Sequence, residues 1–290
     1  MLRIGMIGTE NSHITHFTRF LNVEQRYPGV RAAALAGGRS ERNRELAELG
    51  GIDLIVEEPA DLVDEVDAAI VSTRDGAKHL EDARPLLEAG KPVLVDKPLA
   101  ASVEHARELL ELAEQNSALL LSCSALRFVP EIGHFKADGD TAASGPTRHL
   151  HVIGPADPDS EYSGLFFYGI HHVEAALEIL GNPAIDPASL DVRAVRRGDT
   201  VVATLRIADT EVTFTFVVPD GGSRVPFHAV GVHRGAVVSH DLTLGGDYNA
   251  PALAEFLAAV EAGSVSRSPA ELLAPVTVLS AISSALERIS

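Results

Sequence analysis

The stretch GTENSH, which begins at Gly8, follows an apolar run and resembles an anion-binding loop in its residue types. Loops that cradle a pyrophosphate carry three glycines spaced G-x-G-x-x-G, but here Glu10 and His13 stand at the second and third positions. A carboxylate beside a pyrophosphate is unfavourable unless it turns outward, whereas backbone amides at a helix start still bind anions. Asn11 and Ser12 are suited to cap that helix. Two interpretations stay open: a divergent nucleotide loop, or a plain loop-to-helix cap.

Metal binding is a second chemistry that these residue types allow. His13 and His16 share one helical face with Glu10, and His171 with His172 forms a further pair. Imidazoles and carboxylates suit zinc or manganese. The i, i+3 spacing arises easily by chance in a chain with 12 histidines, so we expect no metal.

Alternating strands and helices must position the loop. Strand-like apolar runs occupy residues 2–8, 30–37, 66–73, 91–98 and 117–124. Helix-like stretches occupy residues 13–26, 39–50, 77–90 and 102–116. This alternation predicts a Rossmann-like, doubly wound parallel sheet, because parallel strands need crossover connections. Ligands of such sheets bind outside the carboxyl ends of the strands, near the point where the strand order reverses.

The pattern changes after about residue 135, where a polar linker at residues 136–147 begins. Runs that alternate like half-exposed strands follow at residues 149–154, 191–197, 200–209, 210–219 and 229–242. A helix at residues 169–181 interrupts them, and two helical stretches end the sequence. We predict an α/β domain over residues 1–125 and an α+β domain over residues 126–290, built on a largely antiparallel open sheet. The final helices either stay in the second domain or pack back on the first.

Two motifs give the chain a resemblance to a known family. The stretch GKPVLVDKPLA (90–100) ends a strand in Asp-Lys-Pro, and YGIHHVEAALEILG (168–181) places histidines at a helix start. With the two-domain plan, these motifs resemble the Gfo/Idh/MocA family of NAD(P)-dependent oxidoreductases over nearly the whole chain. The resemblance implies a dehydrogenase or reductase acting on CH–OH groups of a sugar, cyclitol or related polyol.

The resemblance also implies roles for single residues. Lys97 matches a family lysine that contacts the substrate hydroxyl and the nicotinamide ribose, with Asp96 in place of the usual glutamate. His171 matches the histidine of the D-x-G-x-H motif, the usual proton donor or acceptor. His79 matches a histidine found after the third strand, and the stretch around Arg127 resembles the R-F-x-P joint into the second domain. Histidine suits proton exchange near neutral pH, and a nearby lysine stabilises alkoxide charge.

The sequence departs from the family at the cofactor and substrate positions. The acid expected after the second strand is replaced by glycines and Arg39, which suits a 2′-phosphate and favours NADP over NAD. Phe167 stands where the aspartate of D-x-G-x-H is expected. Our catalytic candidates are Lys97, His171, His172 and Tyr168, with either histidine as the acid-base group. Our cofactor-binding candidates are Gly8, Thr9, Asn11, Ser12, Arg39, Ser72, Thr73, His79 and Lys97.

Composition restricts the partners and the compartment. The formal net charge of −17 argues against binding to nucleic acid or to an anionic membrane. No run approaches the ~18 apolar residues of a membrane span, and the first residues do not form a secretory signal. The single Cys123 lies in an apolar run and fits a buried side chain in a reducing cytoplasm. We expect a cytoplasmic protein with a small-molecule substrate. By resemblance, we also expect a homo-oligomer formed through the second sheet.

Three functions stay open. The leading one is an NAD(P)-dependent oxidoreductase in which Lys97 polarises the reacting oxygen and His171 exchanges its proton. The second is a lyase, epimerase or hydrolase on the same scaffold, with a degenerate or unused nucleotide site. The third is a catalytically silent sensor or binding protein. Cofactor binding separates the first function from the other two.

Overall fold

The computed structural model describes residues 1–139, 145–222 and 224–288. The chain divides into a first unit of Met1–Cys123 with Asn249–Pro269, and a second unit of Ser124–Tyr248 with Ala270–Ser290. The middle of the predicted linker, residues 140–144, lies outside the described residues. The predicted division of the chain into domains of residues 1–125 and 126–290 stays a prediction.

The strands and helices are numbered separately in chain order. The strands are β1 (Leu2–Ile7), β2 (Val30–Ala36), β3 (Leu54–Val56), β4 (Ala68–Val71), β5 (Val93–Asp96), β6 (Leu120–Cys123), β7 (Thr147–Pro155), β8 (Arg193–Arg197), β9 (Thr200–Ile207), β10 (Thr210–Val217), β11 (Phe227–His233) and β12 (Val237–Leu242). The α-helices are α1 (Ser12–Thr18), α2 (Ser40–Gly50), α3 (His79–Glu88), α4 (Val103–Gln115), α5 (Pro130–Gly139), α6 (Gly169–Ile179), α7 (Ala250–Ala262) and α8 (Pro269–Glu287). A π-helical turn, Arg19–Val23, continues α1.

The first unit contains a six-stranded parallel sheet in the order β3-β2-β1-β4-β5-β6. The prediction of a doubly wound parallel sheet is therefore confirmed. Every residue of β4 and β5 is buried, as expected for strands that helices cover on both faces. The strand order reverses between β1 and β4, which places the ligand edge at the carboxyl ends of these strands.

Helices of the first unit begin where the sequence predicts. Ser102 caps α4, since its hydroxyl accepts a hydrogen bond from the His105 amide at 3.1 Å. Ala106, Leu109 and Ala113 recur at helical spacing and are buried. Helix α7 also belongs to this unit. The three-residue strand β3 is absent from the predicted runs because so short a segment has no readable pattern.

The second unit contains a mixed six-stranded sheet in the order β12-β11-β7-β10-β9-β8. Among the described strands of this sheet, only β7 and β10 pair in parallel, so the predicted largely antiparallel sheet is confirmed. The run at residues 229–242 is a pair of strands, β11 and β12, rather than one. Helix α5 begins within a segment that we predicted without a helix, and Ile132 and Phe135 anchor it in the core.

Helix α8 is long and apolar enough to span a membrane by length and composition alone. Half of its apolar window is buried inside the protein. Leu272, Val278 and Ile282 are among its buried residues. These features are typical of a core helix.

Candidate active site

The loop after β1 makes a sharp turn that only glycine allows. Gly8 has φ +80°, and a Cβ atom there would lie 2.2 Å from the backbone nitrogen of Thr73. Glycine is the residue that adopts this conformation at no steric cost. Asn11 caps α1, since its side-chain oxygen accepts a hydrogen bond from the His13 amide at 3.1 Å. The predicted capping role of Asn11 is confirmed, and Ser12 is the exposed first residue of the helix.

Glu10, at the second glycine position, turns toward the loop that follows β4. Its carboxylate accepts a hydrogen bond from the Arg74 amide at 3.1 Å. The side chain therefore links two loops at the carboxyl edge of the sheet. This contact accounts for a carboxylate in a place where a phosphate loop has none.

His13, at the third glycine position, is hydrogen-bonded to the aspartate of the Asp-Lys-Pro motif. Its Nδ1 atom lies 2.6 Å from Oδ2 of Asp96, and the Ser72 hydroxyl donates to the same oxygen at 2.7 Å. Burial acts to raise the pKa of Asp96. The charge and hydrogen bond of His13, the charge of Lys97 and the Ser72 hydrogen bond outweigh it, so the pKa lies well below its usual range. The carboxylate stays ionised at neutral pH.

Lys97 is buried at the carboxyl end of β5, with 7% of its surface exposed. Its backbone amide donates to Oδ1 of Asp96 at 2.9 Å. The ends of β1, β4 and β5 thus bring together Gly8, His13, Ser72, Asp96 and Lys97. A cluster of polar groups at this edge of a parallel sheet is where a ligand is expected.

The side chains of three predicted cofactor contacts are occupied by protein partners. The Thr73 hydroxyl donates to Asp82, and that of Ser72 donates to Asp96. Both ring nitrogens of the buried His79 face backbone oxygens at 2.7 Å, those of Pro98 and Thr73. The ring of His79 links the loops after β4 and β5 to each other, and its cofactor-binding role stays a prediction.

After β2, where the family carries an acidic residue that binds the cofactor ribose, this chain has a compact network of polar side chains. A Cβ atom on Gly38 would lie 2.1 Å from the Thr9 hydroxyl, and Gly38 has φ +75°. The Thr9 hydroxyl donates to Asn43 Oδ1 at 2.5 Å, and Asn43 donates to the Gly37 carbonyl at 2.6 Å. Thr9 is fully buried and its carbonyl accepts a hydrogen bond from Arg42, so its predicted cofactor contact stays a prediction. Arg39 precedes α2 and is exposed.

In the second unit, His171 has a buried polar partner. Its Nδ1 atom lies 2.6 Å from the hydroxyl oxygen of Ser124. That oxygen also accepts a hydrogen bond from the Leu126 amide at 3.1 Å. Ser124 directly follows β6 and was not among the predicted site residues, although its place at a strand end is the signal that marks it.

The neighbouring His172 is enclosed by aromatic rings. The rings of Phe216 and Phe227 lie 4.8 and 5.2 Å from it, and the side chain is fully buried. Burial lowers the pKa of His172 to about 4, partly offset by the backbone of Gly154, Tyr168 and Gly169. The ring is neutral at pH 7 and inaccessible. Of the two predicted acid-base groups, the burial of His172 therefore favours His171.

Aromatic and charged residues surround His171. Tyr168 is 42% exposed, and its ring lies 5.6 Å from that of His171. Phe167, which replaces the motif aspartate, packs its ring 5.0 Å from that of Tyr168. Glu174 accepts hydrogen bonds from the Ser124 amide at 2.7 Å and from the guanidinium of Arg127. The ion pair of Glu174 and Arg127 fixes the segment that carries Ser124.

Within residues 1–139, 145–222 and 224–288, no group of three histidine, cysteine, aspartate or glutamate side chains is arranged to hold a metal ion. The rings of His13 and His16 stack at 6.4 Å, but Glu10 faces Arg74. These contacts, with that of His13 to Asp96, give the polar side chains of the first loop partners within the protein.

Comparison with known proteins relates the first unit to oxidoreductases. Residues 2–123 match the sequence model of a family described as "Oxidoreductase family, NAD-binding Rossmann fold". Inositol 2-dehydrogenase 2 of Saccharopolyspora erythraea is 28% identical over 193 residues, which cover 63% of this chain and 55% of that protein. Biliverdin reductase A of Homo sapiens is 29% identical over 152 residues, which cover 52% of this chain and 50% of that protein. The matches span about half the length of these relatives.

Solved structures share the fold of the chain. GenD2 from gentamicin A biosynthesis, solved in complex with NAD, has a TM-score of 0.84 at 21% identity. The match covers 100% of this chain and 95% of the GenD2 chain. The scyllo-inositol dehydrogenase of Lactobacillus casei, solved with NAD(H) and scyllo-inositol, has a TM-score of 0.82 at 14% identity. This match covers 100% of this chain and 98% of the dehydrogenase chain. At these identities the likeness concerns the fold.

Proposed function

We propose that the chain is an NAD(P)-dependent dehydrogenase or reductase of the Gfo/Idh/MocA type that acts on CH–OH groups, supported by the match of residues 2–123 to the oxidoreductase family model. The proposed substrate is a sugar, a cyclitol or a related polyol. One observation carries the proposal: Lys97 is buried at the carboxyl end of β5, beside the point where the strand order reverses.

The residues at this edge fit a nicotinamide dinucleotide. Gly8 gives the close backbone turn that a dinucleotide loop needs, and the Arg74 amide binds the carboxylate of Glu10. Gly8, Asn11, Ser12 and Lys97 would hold the cofactor. When bound, the nicotinamide supplies the acceptor or donor of the hydride.

The protein supplies charge stabilisation and proton exchange. Oxidation of a hydroxyl removes a proton from oxygen and a hydride from carbon. The ammonium of Lys97 stabilises the negative charge that develops on the oxygen as the proton leaves. An imidazole takes that proton, since histidine titrates near neutral pH. In the second unit His171 supplies the imidazole of the family motif, and Tyr168 lies beside it.

Lys97→Ala tests the proposal. We expect saturable binding of NADP or NAD by calorimetry, and turnover of at least one inositol or sugar followed by reduced-cofactor fluorescence. Lys97→Ala then lowers kcat/KM by about 100-fold or more, because charge stabilisation at the reacting oxygen is lost.

Lys78→Ala is the matched control, because Lys78 is an exposed lysine on the turn just before α3. This variant should keep kcat/KM within about threefold of wild type. Failure of the wild type to bind either cofactor, with Lys97 still essential for turnover, would instead support a lyase, epimerase or hydrolase. Absence of binding and turnover would leave a sensor or binding protein.

The preferred cofactor is NADP. Gly38 has no room for the acidic side chain that binds a ribose 2′-hydroxyl and repels a 2′-phosphate, and Arg39 follows it at the surface. Arg39→Ala should raise the Kd for NADP about tenfold and leave that for NAD within about twofold. Equal effects on both cofactors in calorimetry would contradict the preference. The cytoplasmic location and the homo-oligomer stay predictions.

A further inference from the structure

We propose that Ser124 is a positioning residue of the reaction: its hydroxyl holds Nδ1 of His171 and thereby directs Nε2 to the proton of the reacting hydroxyl. The inference rests on the proposed function, which it deepens by naming the group that orients the acid-base histidine. Ser124 belongs neither to the Asp-Lys-Pro stretch nor to the stretch that contains His171.

The contact between Ser124 and His171 is short and buried. Oγ of Ser124 lies 2.6 Å from Nδ1 of His171. Ser124 is fully buried and His171 is 5% exposed, so water competes little for this hydrogen bond. The terminal torsion of a histidine side chain is broad and roughly twofold, so a ring without such a partner exchanges the places of its nitrogen and carbon atoms. The hydrogen bond removes this freedom and gives Nε2 a defined position.

The hydroxyl of Ser124 suits this role because it both donates and accepts. A serine oxygen carries one proton and two lone pairs. One lone pair accepts a hydrogen bond from the Leu126 amide at 3.1 Å, which leaves one lone pair and the proton. Oγ therefore donates to Nδ1 when this nitrogen is bare and accepts from it when it is protonated. The contact persists in both neutral tautomers of the ring and in the charged ring.

Ser124 is itself fixed to the helix that carries His171. Its amide donates to Oε2 of Glu174 at 2.7 Å, and Glu174 lies three residues after His171 on the same face of α6. Glu174 also forms a buried ion pair with the guanidinium of Arg127. Ser124 thus contacts α6 twice, through its amide and through its hydroxyl. These two contacts set the position of Oγ relative to the ring before a substrate binds.

Proton exchange at Nε2 completes the chemistry. In oxidation the O–H bond of the substrate breaks and an N–H bond forms at Nε2 of His171. The hydride leaves the same carbon for the oxidised nicotinamide, and a C=O bond forms. Nδ1 carries the proton of the neutral ring in this direction, and Oγ of Ser124 accepts a hydrogen bond from it before and after the exchange. Reduction is the reverse of these steps.

Ser124→Ala tests the role, because it removes the hydroxyl and leaves the backbone contact to Glu174. The hydroxyl also caps the short 3₁₀ turn Ala125–Phe128, so the melting temperature should fall by about 2–4 °C. We expect kcat to fall about tenfold or more with KM changed by less than about threefold, because a misdirected ring exchanges the proton less often. Ser124→Thr keeps a hydroxyl on the same carbon and should restore kcat to within about threefold of wild type.

Ser122→Ala is the matched control. Ser122 lies two residues earlier, in β6, and is also buried. Within the part of the chain that the structure describes, its hydroxyl has no hydrogen-bond partner. The variant deletes the same atom without removing a hydrogen bond, so kcat should stay within about threefold of wild type.

The His171→Ala background separates positioning from general support of the fold. His171→Ala alone should lower kcat by about 100-fold or more, as expected for the loss of an acid-base group. Because Ser124 acts through His171, adding Ser124→Ala to this background should cause no further loss. A further loss of about tenfold there, or a kcat of Ser124→Ala within about threefold of wild type, would overturn the inference.

The proposed function and the role of Ser124 fail on different results. A wild type that oxidises none of a panel of inositols and hexoses with NADP or NAD overturns the proposed function, and the role of Ser124 fails with it. A wild type that oxidises one of them, loses this activity in Lys97→Ala and keeps it in Ser124→Ala overturns the role of Ser124 alone.

Discussion

Two adjacent histidines of α6 differ in chemistry because their surroundings differ. Neighbouring helical positions point about 100° apart, so His171 reaches Ser124 while His172 points between Phe216 and Phe227. In a low-dielectric surrounding the charged form of a ring is disfavoured. The sequence GIHH identifies the pair, and the packing of the sheet against α6 decides which ring is accessible.

The burial of His172 predicts a pH-dependent stability. Its pKa is about 4 in the folded chain, against about 6.5 when unfolded. Between these values the unfolded chain binds more protons, so the free energy of unfolding falls as the pH decreases from about 6.5 to about 4. The full loss is about 3 kcal/mol. Urea unfolding of wild type and of His172→Leu at several pH values checks this. An equal pH slope in the two proteins would contradict it.

At the scale of elements, the loop after β1 depends on a close approach between two strand ends. Gly8 lies against the backbone of Thr73, whereas Gly29, with φ +82°, has no atom within 4 Å of its Cβ position. Both glycines have a left-handed backbone, but only at Gly8 would an added Cβ atom touch another residue. They form a matched pair that separates backbone strain from packing.

Alanine at each position should give different losses of stability. Gly29→Ala should cost about 1–2 kcal/mol for the left-handed conformation alone. Gly8→Ala should cost at least about 2 kcal/mol more, because its Cβ would overlap Thr73 and separate the ends of β1 and β4. Urea unfolding measures both variants. Similar losses would show that the approach to Thr73 relaxes without penalty.

Periodicity predicted most elements of both sheets, because buried strands and amphipathic helices carry local patterns. It missed β3 and α5, the first for its length and the second because Gly133 and polar residues obscure the apolar positions of Ile132 and Phe135. It also joined β11 and β12 into one run, although Gly235 between them is a turn signal.

At the scale of the whole molecule, the sheet of the second unit presents valines to solvent. Val202 in β9 alternates with the buried Val201 and Ala203 and is 39% exposed. Val195 and Val232 are further exposed large hydrophobic residues on β8 and β11. Such residues on the outward face of a sheet fit an interface between copies of this chain, which the resemblance also implies.

Val202→Glu should weaken the proposed homo-oligomer, because a buried unpaired carboxylate at an interface is costly. We expect sedimentation at micromolar concentration to shift toward the monomer. Val23→Glu, at an exposed valine of the first unit, is the control and should leave the sedimentation unchanged. A wild type that sediments as a monomer would exclude the oligomer.

The sequence by itself determined the fold class, the Asp-Lys-Pro strand end and the histidines at the start of α6, since these depend on local patterns and on order along the chain. Only the tertiary structure decided what GTENSH does. Glu10 meets Arg74 at a separation of 64 residues, and His13 meets Asp96 at a separation of 83. The order of the strands in the sheet decides which strand ends lie side by side. A local sequence pattern carries no information about contacts between residues so far apart in the chain. Glu10 and His13, at the second and third glycine positions, are therefore held by the loop after β4 and by the last residue of β5.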